Sequence, residues 1–233
     1  MSGLLLQAGA FDYELYYSKR RSLAIQIKSG KVIVRAPLSL TQCEIEALLQ
    51  NKQRWILEKL QLSAAQTSPN WLEQKRLPLF EQRLQLEVQR AKHSQIRRQQ
   101  DKLVLSISSR VKPERVHLMQ QKLVTDWYKQ EALSWFTVRV QHWQALINVK
   151  SNSIIIGCWS SKWGYCRSDG RLGFNWRLLM APSWVADYVV VHEVCHLKHM
   201  NHSTDFWSLV AAYCEHVSAA KQWLKQHQHK LTL

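Results

Sequence analysis

His192, Glu193 and His196 stand in the order H-E-x-x-H inside the stretch Tyr188 to Trp207, YVVVHEVCHLKHMNHSTDFW. On a helix, two histidines four apart lie one above the other on the same face, so both imidazoles can turn to one metal ion. Glu193 projects about 100° round the helix from His192, which aims its carboxylate at the open side of such a site rather than into the ligand set. A catalytic zinc site takes three protein ligands and leaves its fourth position to water. His199 is a poor third ligand, because on the same helix it lies about 10 Å along the axis from His192, beyond the reach of bonds of about 2.1 Å; it is expected to face solvent. His202 is better placed. Asn201 tolerates a left-handed C-cap, so the helix can end there and the chain return beneath the metal. Ser203 then supplies an N-cap for a following helix, with Asp205 in its first turn.

The expectation is one zinc per chain on His192, His196 and His202, with Glu193 as the catalytic group. The bland alternative is a structural or solvated histidine cluster. Its surroundings argue against that: Val189, Val190 and Val191 form a buried approach, and Cys195 and Leu197 flank the motif on the core side.

The elements that must hold this stretch are legible in outline. From Phe11 to Ala36 apolar residues alternate (Leu23, Ile25, Ile27, then Val32, Val34) round Ser29-Gly30, which predicts a hairpin with one apolar face. Pro37 ends it. Ser39 and Gln42 have capping-box spacing, and Ile45, Leu48, Leu49, Ile56 and Leu60 predict an amphipathic helix from about Leu40 to Leu62. Ser63 to Asn70, SAAQTSPN, is the most linker-like segment. Leu79 to Gln89 and Gln95 to Ser108 alternate as strands, separated by a basic stretch whose bland reading is a solvated, charge-guarded edge.

Pro113 opens a long aromatic-rich helical segment that should pack behind the metal helix. His142 within it is read as a core or surface histidine. Ile154 to Ile156 is read as a short buried strand. Arg171 to Leu178, RLGFNWRL, is read as a strand beside the metal helix that presents an edge to an extended peptide. Gly173 there would allow close backbone approach and Asn175 could donate to substrate; an ordinary sheet strand is the competing reading. Pro182 to Lys198, Ser203 to Glu215 and Val217 to Gln226 complete the helices.

A chain of 233 residues can bury a proper core without staples. It has an odd number of cysteines, 5, and MSGLLLQAGAFDYE lacks the pattern of a secretory leader, so reduced thiols and a cytoplasmic location are expected. No apolar run approaches a membrane span. Cys158 and Cys166 lack a C-x-x-C partner and are read as packing residues. The formal charge of +15 favours anionic partners, nucleic acid among them, although basic residues spread this widely are often only a solvated surface.

SLAIQIKSGKVIVRAP, SKWGYC followed by GRLGFNWRL, DYVVVHEVCHLKHMNHSTDFW and a closing WLK together resemble the YgjP-like metallopeptidase family and, more distantly, the SprT-like zinc proteases. The resemblance covers nearly the whole chain. It implies His192, His196 and His202 as zinc ligands and Glu193 as the catalytic glutamate. It also implies an α+β fold, with a zincin-like metallopeptidase domain over 111–233 behind a β-rich region with one amphipathic helix over 1–110. Tyr165 stands where a small residue is expected, and a proline expected after Cys214 is absent. The function expected is a zinc metallopeptidase acting on peptide or protein substrates. Its rivals are a zinc-dependent nucleotide phosphoanhydride hydrolase, and a DNA-associated protease or basic nucleic-acid-binding module.

Overall fold

The computed structural model describes residues 4–28, 30–65 and 71–231. Ser29 of the expected hairpin turn and 66–70 of the expected linker lie outside them. The fold is α+β and forms two compact units, Met1–Thr67 and Ser68–Leu233. The strands over 76–108 therefore belong with the histidine-bearing part rather than with the first 110 residues. The reason is packing: Leu84, Leu86, Leu103 and Leu105 share one core with the long helix that follows them.

In the first unit, strands β1 (Leu4–Ala8), β2 (Phe11–Ser18), β3 (Ala24–Lys28) and β4 (Lys31–Pro37) form a sheet in the order β1-β2-β4-β3. Tyr13, Leu15, Val32 and Val34 alternate onto one face and share a core with Ile45, Leu49 and Ile56. Those three residues lie on two helices, α1 (Gln42–Asn51) and α2 (Gln53–Ala65), where the sequence suggested one. The break is Lys52, whose backbone (φ −102°, ψ 4°) leaves the helical region. The N-cap is Thr41 with Glu44, not Ser39 with Gln42. The Leu40 amide bonds back to the Pro37 carbonyl, a turn that keeps Ser39 ahead of the helix start.

The second unit opens with the short helix α3 (Trp71–Gln74) and strands β5 (Arg76–Leu79), β6 (Gln82–Ala91), β7 (Gln95–Gln99) and β8 (Lys102–Ser108), ordered β5-β6-β8-β7. The central pair β6/β8 is parallel and its flanking pairs antiparallel, the same arrangement as in the first sheet. Each run expected as one strand is cut by a tight turn, at Phe80 (φ 54°) and Gln100 (φ 54°), both in the left-handed region.

Behind a 3-10 turn at Pro113–Arg115, helix α4 (Val116–Ile147) places Val124, Tyr128, Ala132, Phe136 and Val140 in the core at intervals of four. Left-handed Asn148 ends it. A three-stranded sheet follows, β9 (Ser153–Gly157), β10 (Gly164–Cys166) and β11 (Arg171–Asn175), ordered β10-β11-β9. β9 is a half-exposed edge strand, with Ile155 in solvent, not the buried strand expected. β11 stops at Asn175, and Trp176–Met180 wind into a 3-10 turn instead of continuing the strand. Helices α5 (Ser183–Cys195), α6 (Thr204–Tyr213) and α7 (Val217–His227) close the chain.

α5 is held at both sides of its first turns. Arg139 of α4 makes a two-pronged pair with Asp187, both bonds 2.7 Å, and the Trp143 indole donates to the same carboxylate at 2.9 Å. The N-cap position is Pro182, which offers no side-chain acceptor. Glu81, from the β5–β6 turn, supplies one across 102 positions of chain. Its Oε1 accepts from the Ser183 amide and hydroxyl, each at 2.8 Å. Burial pushes the Glu81 carboxyl up, but these bonds outweigh it and leave its pKa below the usual value.

Glu81→Ala should therefore cost roughly 0.5–2 kcal/mol, as for other lost caps. Because the folded-state pKa is depressed, this contribution is full above the ordinary carboxylate range and disappears as the pH falls through the lower folded value. Thermal melts across pH should show wild type and variant well apart at neutrality and converging in acid. A gap that persists unchanged at low pH would exclude the charged cap.

Candidate metal centre

After Asp187, α5 is apolar up to His192 and almost wholly buried: Tyr188, Val189, Val190 and Val191, then Val194 and Cys195, line the interior, with Val185 and Ala186 before them. Its last turn brings polar groups into that interior. His192 and His196 lie on one face with ring centres 4.9 Å apart. The helix ends at Cys195, earlier than the Asn201 expected, and a tight turn carries the chain on, with the Lys198 and His199 amides bonding to the Cys195 carbonyl. Ser203 caps α6 by accepting from the Phe206 amide, and Asp205 sits in its first turn, as expected. His202, between turn and cap, is delivered to the other two histidines.

The three Nε2 atoms converge. His202 Nε2 lies 3.1 Å from His192 Nε2 and 3.2 Å from His196 Nε2. Nitrogens bound to one ion at about 2.1 Å in tetrahedral directions would be about 3.4 Å apart, so the donor set fits a divalent metal closely. His196 is oriented for this: its Nδ1 lies 2.9 Å from the His199 carbonyl, which can only accept, so the proton sits on Nδ1 and Nε2 keeps its lone pair. His199 lies outside the convergent group, yet its backbone carbonyl sets the ring of His196. Burial, then the neighbouring His196, His202 and Lys221 charges, holds His192 down to about 3. His196 is lowered too, chiefly by burial. Both imidazoles are neutral at ordinary pH, the state a metal requires.

Aromatic rings from the first turn of α6 pack against the imidazoles. Phe206 stacks on His196 (centres 4.4 Å, 23°) and Trp207 on His202 (5.5 Å, 17°). The DFW segment carried this signal in sequence, as aromatics four and five places after the third histidine. Lys221 of α7 places its ammonium 3.5 Å from the centre of the Trp207 ring. No spacing rule points to that residue.

Glu193 is 6% exposed, and burial pushes its carboxyl up to about 8, against the opposing charge of Lys162. It faces Gly164 of β10. A Cβ built on Gly164 would sit 2.7 Å from Glu193 Cγ and 2.8 Å from Oε1, so the carboxylate occupies the space a side chain would need. Tyr188, Val189, Trp163 and Leu224 complete a cavity of about 270 Å³ beside His192 and Glu193.

The residues expected to touch substrate are placed otherwise. β11 is the central strand, paired on both sides, and has no edge to offer. Gly173 lies under Tyr165: a Cβ there would be 2.1 Å from the ring carbon Cε1, so the glycine makes room for that ring and not for a ligand. Asn175 is buried and its amide is spent. Nδ2 donates to the Trp159 carbonyl (2.9 Å) and the Lys162 carbonyl (3.3 Å), while Oδ1 accepts from the Arg177 amide (3.2 Å). It fixes the loop before β10 instead of reaching outward. Of the two cysteines read as packing residues, Cys158 is exposed and Cys166 half-buried. His142 packs edge-on against Trp143, away from the ligand set.

The family model described as YgjP-like, metallopeptidase domain, matches residues 21–227. No curated protein gives a significant match. Among solved structures, the chain is similar to the metallopeptidase zymogen abylysin of Pyrococcus abyssi, at 17% identity and TM-score 0.37 over 40% of this chain and 95% of that one. It is likewise similar to the metallopeptidase zymogen jannalysin of Methanocaldococcus jannaschii, at 18% identity and TM-score 0.36 over 40% and 96%.

Gly164→Ala should displace the Glu193 carboxylate without touching the imidazoles. Turnover should fall by about 10²-fold or more, the scale of a displaced general base, while bound metal stays at the wild-type level. Metal analysis beside an activity assay checks this; a Gly164→Ala protein with normal turnover would show that the close contact with Glu193 is not needed.

Proposed function

The chain belongs to the YgjP-like metallopeptidase family, and from that premise we propose that it hydrolyses peptide bonds with one zinc ion held by His192, His196 and His202 and with Glu193 as general base. The observation that carries this reading is the convergence of the three Nε2 atoms beside a buried carboxylate. Zinc held by three neutral imidazoles keeps its full charge, so when bound it supplies a Lewis acid that polarises a carbonyl and acidifies water.

The chain's own groups do the rest. Glu193, on the helix position between the two histidine-bearing turns, takes a proton from the attacking water and returns it to the leaving amine. Its buried, water-poor surroundings make proton exchange with solvent slow to compete. His199 holds His196 in the correct tautomer through its carbonyl.

The peptide reading is supported by a strand edge, though not the one expected. Trp163 pairs with Asn175 and Arg167 with Arg171 through backbone bonds of 2.8 and 2.9 Å. In an antiparallel pair such bonded positions alternate, so Tyr165 also bonds inward while Gly164 and Cys166 turn their N–H and C=O groups away from β11. No strand covers that side of β10 among the described residues. An extended peptide added there would pair with the strand whose face Glu193 meets at Gly164. The nucleotide reading adds only the net charge of +15 to the same metal site, and the nucleic-acid readings draw on that charge and on the SprT-like resemblance. No helix among the described residues is long and apolar enough to cross a membrane.

Glu193→Gln should keep one zinc per chain and lose at least about 10³-fold in kcat. His196→Ala and His202→Ala should lose both zinc and turnover. Elemental analysis together with hydrolysis of an unfolded protein checks all three, and a fully active Glu193→Gln protein would remove the mechanism.

A further inference from the structure

The cavity beside His192 and Glu193 has an apolar lining and a charged rim. Tyr188, Val189 and Leu224 are buried in its wall, whereas Lys221 is exposed at its mouth. The Lys221 ammonium is held 3.5 Å above the Trp207 ring, and Trp207 lies flat on His202. This stack ties the position of the cation to that of the histidine cluster.

A ring face attracts a cation but does not neutralise it. Among the described residues no carboxylate forms an ion pair with Lys221. Lys162, on the loop before β10, differs, because its charge already acts on the Glu193 carboxyl. Its ammonium lies 4.6 Å from the Tyr165 ring centre and 5.7 Å from that of Trp159, and it too lacks an ion-pair partner among those residues. Lys221 is thus a cation held on an aromatic face, with no carboxylate paired to it among the described residues, at the mouth of a cavity walled in part by Tyr188, Val189 and Leu224. A neutral, wholly apolar side chain would leave the Lys221 charge unanswered. An anionic group reaching the mouth would find one fixed partner already in place.

Resting on the peptidase reading above, we propose that Lys221 is a specificity residue: it recognises a carboxylate of the peptide, carried on the residue whose apolar part enters the cavity lined by Val189 and Leu224. The carboxylate can belong to an acidic side chain or to a free peptide C-terminus. The chemistry at Lys221 is the same in both cases.

The test uses the full-length protein loaded with zinc, in the Glu193→Gln background so that binding is read without turnover. Calorimetry compares peptide pairs that differ only in Glu against Gln at one position with an amidated end, and pairs that differ only in a free against an amidated C-terminus. At least one carboxylate peptide should bind about fivefold or more tighter than its neutral partner, the scale of one charged contact at an exposed rim. The preference should disappear with Lys221→Ala, invert with Lys221→Glu and persist with Lys221→Arg. Which pair shows it identifies the source of the carboxylate.

Cleavage of the same peptides by the protein with Glu193 intact separates this inference from its premise. Cleavage with equal binding of acidic and neutral partners, or with a preference indifferent to Lys221, overturns the inference and leaves the peptidase. Lys221-dependent binding without cleavage upholds the carboxylate site and overturns the peptidase. Absence of binding to every peptide overturns both.

Discussion

A helix whose last turns are buried cannot end in polar groups unless something answers them, and this constraint governs the second unit. α5 brings two imidazoles and a carboxylate into an interior otherwise lined by valines. Burial moves both kinds of group toward their neutral forms: with the neighbouring charges it holds His192 down to about 3, and against Lys162 it pushes Glu193 up to about 8. Three imidazole nitrogens are crowded together at the end of the helix, and His192 Nδ1 is buried with no hydrogen-bond partner among the described residues. One cation at the centre would satisfy the lone pairs and favour the ionised Glu193 at the same time. The same desolvation that makes an unanswered charge costly there strengthens every attraction between opposite charges.

The supports of α5 follow from that cost. Glu81 caps its start, Arg139 and Trp143 clamp Asp187 one turn further on, and Phe206 and Trp207 back the rings at its end. Each comes from a different element, so the position of the last turn is over-determined. A site whose imidazoles must meet within a few tenths of an ångström needs that, because side chains held only by their own rotamers would not keep the distance. Gly164 makes the same point from the other direction: only where no Cβ exists could β10 approach Glu193 so closely.

Local chemistry was legible where it is local. The i, i+4 spacing of His192 and His196 and the Ser203 cap are properties of a few consecutive residues, and the approach of His202 followed from asking where the chain can turn. The helix ended several residues before Asn201, yet His202 still arrives, because the requirement was a return of the chain and not a particular cap. What depended on pairing between distant segments was misread. RLGFNWRL shows the alternation of a strand, but alternation does not say whether a strand is central or marginal. Its place between β9 and β10 moved the free edge to a three-residue strand too short to stand out. Asn175 looked like a donor for substrate because nothing in sequence shows the Trp159 and Lys162 carbonyls closing on it. Phe80 and Gln100 hide two turns, since neither is a residue type that announces a left-handed backbone.

The two four-stranded sheets show why the rest of the unit matters to the chemistry. They have the same strand order and the same senses of pairing, with a two-residue turn beginning at Gly9 in one sheet and at Phe80 in the other. In the first, the apolar face is closed by α1 and α2, and the core is complete. In the second, the face is met by α4, whose 32 residues are more than that sheet can cover. The Tyr128 hydroxyl bonds to the Pro78 carbonyl on the sheet, while Phe136, two turns on, stacks on Phe174 of β11 (centres 4.6 Å, 7°). Arg139 and Trp143, further still, reach α5. A similar sheet thus has two outcomes, set by the length of the helix that follows it. A short pair of helices seals the sheet, and a long one extends past it to brace the helix that carries the histidines.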